Sequence, residues 1–266
     1  MDKNLKSSLK VFCYLFTVFL LLNLIFSHTL VADVVTMVKS DYTNFYGESN
    51  LQSLALAFSV GAVGANSSWD QNVQNWYQRN WRNSFTDELS TVFKFWGEGD
   101  YLVPLSVMMG SLNLLHLESE FINSLALWGE RNARAYLVGA PFVLLMQRIT
   151  GGSRPSETDG SSQWDFFADE NGVSGHAFMG AVPFLTIAEM NSENKIVYWT
   201  SSLLSTLPAL SRLNDNKHYF SQAFLGWFMA KQAVQVVSNT AKEEPKLTLI
   251  PFIRRQDLGV MIGIDW

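Results

Sequence analysis

Two histidines and two arginines occur in an order and spacing that would suit the handling of a phosphoryl group. Toward the C-terminus they come as Arg154-Pro155, then Ser174-Gly175-His176, then Ser211-Arg212 with five residues before His218. A guanidinium is a planar, permanently charged fork whose N–H groups match the oxygens of an oxyanion two at a time. A serine followed by glycine and histidine suits the start of a helix, where backbone N–H groups are unpaired and the dipole favours an anion. Glycine there lets the backbone come close to the ligand. Imidazole is the side chain whose ordinary pKa, about 6.5, lies nearest working pH, so one can act as nucleophile and another as proton carrier.

These residues need rigid elements to hold them, and the chain predicts helices almost throughout. Apolar residues recur at helical spacing over 51–65, 70–81, 85–96, 101–117, 121–150, 176–190, 196–210 and 218–237. Each of the three short signatures falls at a helix boundary. The segment 156–173, between the first two, should overhang them as a lid or specificity loop. It carries Trp164, Phe166 and Phe167 among Asp159, Asp165, Asp169 and Glu170. Two β-type runs, 246–253 and 258–266, flank Arg254-Arg255-Gln256-Asp257 and read as a hairpin packed on the helical body.

The chain has 266 residues, 48% hydrophobic, with nine Trp and a charged fraction of 16%. That is enough for one large core plus appendages, here 33–245 with the hairpin 246–266. A net charge of -5 argues against nucleic acid as the partner. Lys3, Lys6 and Lys10 precede an apolar run over 11–26. Residues 1–32 therefore read as a secretory signal cleaved after Ala32, or as an uncleaved anchor. Export to the periplasm or cell envelope follows, with membrane-surface contact open. Cys13, the single cysteine, lies in this segment, which leaves no thiol chemistry for the remainder. The uncharged windows are mostly shorter than the roughly 20 residues of a spanning helix, and mean hydropathy is only +0.07. A globular bundle is expected.

Arg154-Pro155, Ser174-Gly175-His176 and Ser211-Arg212 with His218 together resemble the three signatures of the type 2 phosphatidic acid phosphatase superfamily, over about 121–237. That group holds bacterial acid phosphatases, lipid phosphatases and vanadium haloperoxidases. The resemblance implies an all-α helical bundle and a phosphatase acting on phosphomonoesters or pyrophosphates, lipid-linked ones among them, with no metal or cofactor. It assigns His218 as the nucleophile that becomes a phosphohistidine and His176 as the acid, then the base. Arg154, Arg212, Ser174 and Gly175 would hold the phosphate. Two positions depart from the pattern. The lysine expected seven residues before the arginine is Gln147, with Arg148 beside it as a substitute or a plain surface residue. The aspartate expected four residues after the nucleophile is Gln222, whose Oε1 could accept the imidazole N–H and fix its tautomer. Asp215 and Lys217 could supply the missing charge.

Other residues read as structural. His116 suits an apolar helix, Arg131 and Arg134 suit ion pairs or the rim, and Trp69, Trp76, Trp81 and Trp96 suit packing. Two other functions remain compatible with the resemblance. In a vanadium-dependent haloperoxidase the same cradle would hold vanadate, with His218 as its ligand. In a weakened binding protein, Gln147 and Gln222 would mark a relic site.

Overall fold

The computed structural model describes residues 28–115, 118–157, 161–243, 246–254 and 257–265. Ten α-helices occur among them: α1 (His28–Phe45), α2 (Glu48–Ala65), α3 (Trp69–Asn80), α4 (Ser84–Phe95), α5 (Gly99–Gly110), α6 (Glu120–Thr150), α7 (Gly175–Met190), α8 (Lys195–Leu204), α9 (Leu207–Asn214) and α10 (Phe220–Glu243). Helix α10 is the axis of the bundle and packs on α7, α2, α6 and α1. The reason is legible in its apolar stripe: Leu225, Met229, Ala230, Ala233, Val234 and Val237 follow helical spacing and are all buried. They meet Phe45, Leu54, Phe58, Val138, Phe178 and Val182 from the surrounding helices.

Two of the long helices contain proline, which removes the N–H that would bond the carbonyl four residues back. In each case a tyrosine replaces it. Pro141 in α6 leaves the Leu137 carbonyl free, and the Tyr42 hydroxyl donates to it at 2.7 Å. Pro183 in α7 leaves the Met179 carbonyl free, and the Tyr136 hydroxyl donates to it at 2.9 Å. The helices that carry the site thus stay continuous despite their prolines.

Several expectations need correction. The single helix expected over 196–210 is two, α8 and α9, separated at Ser205 and Thr206. Pro208, near the start of α9, has no N–H for the carbonyl of Leu204, so the first helix ends there. The helix expected over 101–117 becomes a 3-10 turn at 111–115. A Cβ on Gly110 would lie 2.9 Å from the Glu130 nitrogen, so α5 and α6 cross there backbone to backbone. Trp69, Trp76 and Trp81, expected as packing residues, are about half exposed; Trp96 does pack against the core.

Helix α1 was not anticipated. It joins the bundle through Phe45 and through Asp41, which accepts from Arg134 Nε and Nη2 at 2.7 and 3.0 Å. Glu130 adds a third contact to that guanidinium at 2.9 Å, so Arg134 is an interior ion-pair residue. The cleavage point expected after Ala32 falls inside α1. Residues 1–27 and His116 lie outside the described residues, as does Asp159.

Among the described residues, no helix is long and apolar enough to cross a membrane. Residues 246–254 and 257–265 pair as antiparallel strands, with Lys246 opposite Asp265. Among the residues whose side chains are described, the core runs to Val237. The body of the fold is all-helical, and the side chains of the two strands, on which the expected packing depends, lie outside the described residues.

Candidate active site

The three signatures converge around the N-terminus of α7. Ser174 is its N-cap, extended in backbone, and its hydroxyl oxygen accepts from the Ala177 N–H at 3.2 Å. That bond occupies the oxygen as an acceptor and leaves the O–H proton as a donor. Gly175 and His176 occupy the first two helical positions, where the backbone N–H groups have no intrahelical partner. His176 is pressed from behind by the turn between α4 and α5, since a Cβ on Gly97 would lie 2.8 Å from its Cδ2.

His218 precedes α10 rather than lying in it, contrary to the expected helix start. Gln222, third in α10, still reaches it. Its Oε1 accepts from the Tyr219 N–H at 3.0 Å and lies 3.1 Å from His218 Nδ1. This is the back-reaching half of a capping box. Gln222 Nε2 donates to the Ser153 carbonyl at 2.9 Å. These two partners fix which end of the amide is oxygen: the end facing a backbone N–H accepts, and the end facing a carbonyl donates. His218 Nδ1 must then carry the proton, leaving the Nε2 lone pair free as a nucleophile. The same amide ties His218 to the first signature, one residue before Arg154.

The two arginines differ in their support. Arg154 is half-buried, and its Nε donates to Asn171 Oδ1 at 2.7 Å. Asn171 is itself oriented by Asp169 at 2.7 Å. Arg212 is buried, and its Nε–H has no hydrogen-bond partner. Among the described residues neither arginine has an ion pair. Asp215 and Glu98 act on the Arg212 charge from a distance, but a buried N–H left without an acceptor is costly, and an anion bound near the two histidines would relieve that cost.

The turn from Arg212 to His218 is propped by two helices that sequence reasoning did not connect with it. From α3, Gln74 Nε2 donates to the Leu213 carbonyl and to Asn216 Oδ1 at 3.0 and 2.8 Å, and Gln78 Nε2 to the Leu213 carbonyl at 2.7 Å. Asn216, with φ of 56°, takes the left-handed conformation that turns the chain. From α4, Ser90 donates to the Ser211 carbonyl at 3.2 Å and to Asp215 Oδ1 at 2.6 Å. Asp70 of α3, fully buried, accepts from the Ser221 N–H at 3.0 Å and so caps α10 from a distance. Asn171, Gln74 and Asp70 are polar residues in polar surroundings, and spacing alone gives no signal for them.

Other sequence candidates fall elsewhere. Arg148 is 69% exposed and pairs with Glu170 at 3.5 Å, so the structure does not bring it into the cradle. Gln147 donates to the Val173 carbonyl at 2.9 Å and sits beside Gly175. It keeps the position of the expected lysine, without its charge, and braces the loop segment before α7. Asp215 lies beside Ser90 and Lys94, while Lys217 is half-buried in the turn. In the loop, Trp164 packs at a tilt beside Phe58 against the core, and of the three aromatics only Phe166 and Phe167 are exposed as a substrate-facing role would require.

Burial and the arginines keep both imidazoles neutral. The His218 pKa is lowered to about 3, chiefly by desolvation and then by Arg212. That of His176 is lowered to about 4 by desolvation, then Arg212, Arg154 and Lys94. In the ligand-free protein both imidazoles should titrate below pH 5, read from their C–H proton resonances; titration near 6.5 would contradict this geometry. Between the ordinary value of about 6.5 and these lower values, the unfolded chain binds protons that the folded one does not. Stability should therefore be full above about pH 6.5 and decline as pH falls toward 4. Urea unfolding across that range checks the sign.

No family model matches the chain, and no curated protein matches it. A solved structure does: a transmembrane PAP2-type phosphatidylglycerolphosphate phosphatase from Bacillus subtilis. It is 18% identical, with a TM-score of 0.52, and the alignment covers 77% of this chain and 98% of that one. The chain has the PAP2 fold. At that identity the likeness concerns architecture alone. The PAP2 fold of the superfamily expected from the signatures is thus found by shape, independently of the residues Arg154, His176, Arg212 and His218 that suggested it.

Proposed function

We propose that this chain is a phosphatase of the PAP2 type, hydrolysing phosphomonoesters or pyrophosphates through a phosphohistidine on His218. The buried guanidinium of Arg212, whose Nε–H has no acceptor, beside two neutral imidazoles carries this reading. Arg212, Arg154 and the N–H groups of Gly175 and His176 hold the equatorial oxygens, with the Ser174 O–H as a further donor. His218 Nε2 attacks phosphorus, forming the N–P bond as the P–O bond to the leaving group breaks. His176 gives its proton to that oxygen. The phosphate's charge offsets the two arginines and raises the His176 pKa, so the imidazole is protonated when it is needed. It then takes a proton from water, which attacks phosphorus and breaks the N–P bond, releasing phosphate. Preorganised positive charge supplies most of the acceleration.

A lipid-linked substrate fits a second feature. An apolar cleft of about 600 Å³ lies between α1, α5 and α6, lined by Met37, Val103, Val107 and Leu137, with Met179 of α7 on its wall. Met179 follows His176 by one helical turn and packs beside Gly99, so cleft and site share the α4–α5 turn. The solved relative is named for a lipid phosphate. The positively charged and then apolar residues 1–32 support a location at the cell envelope, exported or anchored.

The test is a substrate panel with purified protein: a chromogenic phosphomonoester, phosphatidic acid, phosphatidylglycerolphosphate and a polyprenyl pyrophosphate. Release of inorganic phosphate from at least one, unaffected by chelators and inhibited competitively by vanadate, is expected. Halide oxidation by the vanadate-loaded protein, without hydrolysis, would instead mark a haloperoxidase.

A further inference from the structure

We infer that Lys94, on α4, supplies the third positive charge of the phosphate cradle, replacing from another helix the lysine that Gln147 lacks. The inference rests on the phosphatase reading for its ligand and deepens that reading by adding a residue outside all three signatures.

The placement follows from three positions on one face of α4 and its exit. Ser90 touches the Ser211 carbonyl and Asp215 on the turn that carries Arg212. Gly97 packs directly against the His176 imidazole. Lys94 lies one turn after Ser90 and three residues before Gly97, between those two contacts. Its Nζ sits 4.0 Å from Asp215 Oδ2, and the side chain is 46% exposed. An ion pair at that distance and exposure is weak, so the ammonium can leave it for a stronger anion. A lysine suits the role as a point charge on a flexible stem that needs no fixed fork. Lys94 also acts with Arg212 and Arg154 in holding His176 neutral, which places its charge within electrostatic reach of that imidazole. Gln147, by contrast, is occupied with the Val173 carbonyl, and Arg148 is turned to Glu170. Of these side chains at or near the expected position of the cation, none delivers a charge to His176. Lys94 does.

The experiment compares wild type, Lys94→Gln, Lys94→Arg and Asp215→Asn for equilibrium binding of orthovanadate, and for kcat and KM on the chromogenic phosphomonoester. Lys94→Gln should weaken vanadate binding about 10-fold, as expected for a partly screened unit charge. Its KM should rise by a similar factor, and Lys94→Arg should recover most of the loss. The binding of wild type should also fall more steeply with salt than that of Lys94→Gln. Asp215→Asn frees the ammonium and should match or exceed wild-type affinity. Unchanged affinity in Lys94→Gln overturns the assignment. So does a loss in Asp215→Asn equal to that in Lys94→Gln, because the pair would then be structural. If wild type binds vanadate but hydrolyses nothing in the panel, the phosphatase reading fails while the binding series still decides Lys94. If wild type does not bind vanadate, both fail.

Discussion

His218→Ala should abolish turnover, with a loss of at least about 10⁴-fold in kcat, while orthovanadate and inorganic phosphate still bind. The size follows from the role: a missing nucleophile removes the covalent route entirely, and residual catalysis can come only from the binding groups. The retained binding follows from geometry. His218 hydrogen-bonds Gln222, and Gln222 keeps its Tyr219 and Ser153 contacts when the imidazole is gone. Arg154, Arg212 and the start of α7 therefore stay in place. A base-stable, acid-labile phosphoryl label on the wild-type protein, absent from His218→Ala, would identify the N–P bond directly. A variant with wild-type phosphate release above background would sink the His218 mechanism but not catalysis, whereas the weakened-binder alternative survives only where neither protein exceeds background.

The sequence carried different parts of this arrangement unequally. The histidines and arginines were legible because their side chains have few other reasons to stand at helix boundaries in that order. Helices α2, α3, α4, α6 and α7 were legible to within a few residues because their apolar faces repeat at helical spacing. Helix α1 was not, because its start merges with the apolar run of residues 11–26 and hides the change from targeting-like segment to bundle member. The break between α8 and α9 was missed because the apolar pattern runs across Pro208 without interruption. Local chemistry prevailed there over periodicity.

The supports of the site were the least legible part. Asp70, Gln74, Ser90, Lys94 and Asn171 act across separations that no short motif spans, and each is an ordinary polar residue in its own helix or loop. Gln222 is the instructive intermediate case. Its contact with His218 was foreseeable from four-residue spacing, but the structure shows why an amide works. The residue must accept from two N–H groups and also donate to the Ser153 carbonyl. A carboxylate could do the first and not the second, and the departure from the superfamily pattern has a structural cause in this chain.

Arg212 separates function from stability most sharply. Arg212→Lys should lower kcat/KM by about 10²- to 10³-fold, the range for losing one preorganised donor set in a buried site. An ammonium cannot reproduce the bidentate fork. Buried beside Arg154, it would also tend to give up its proton. The backbone would be undisturbed, because the Arg212 carbonyl keeps the N–H groups of Lys217 and His218 at 2.9 and 3.2 Å. Arg212→Met takes the argument further. It removes a buried charge that makes no ion pair within 4.0 Å among the described residues and an Nε–H with no acceptor, so the ligand-free protein should be at least as stable as wild type in urea. The same variant should lose vanadate binding. A strongly destabilised Arg212→Met protein would mean that the guanidinium is structural, through its distant charge partners Asp215 and Glu98. A stable but inert variant would show that the fold tolerates this strain for the sake of the anion it holds.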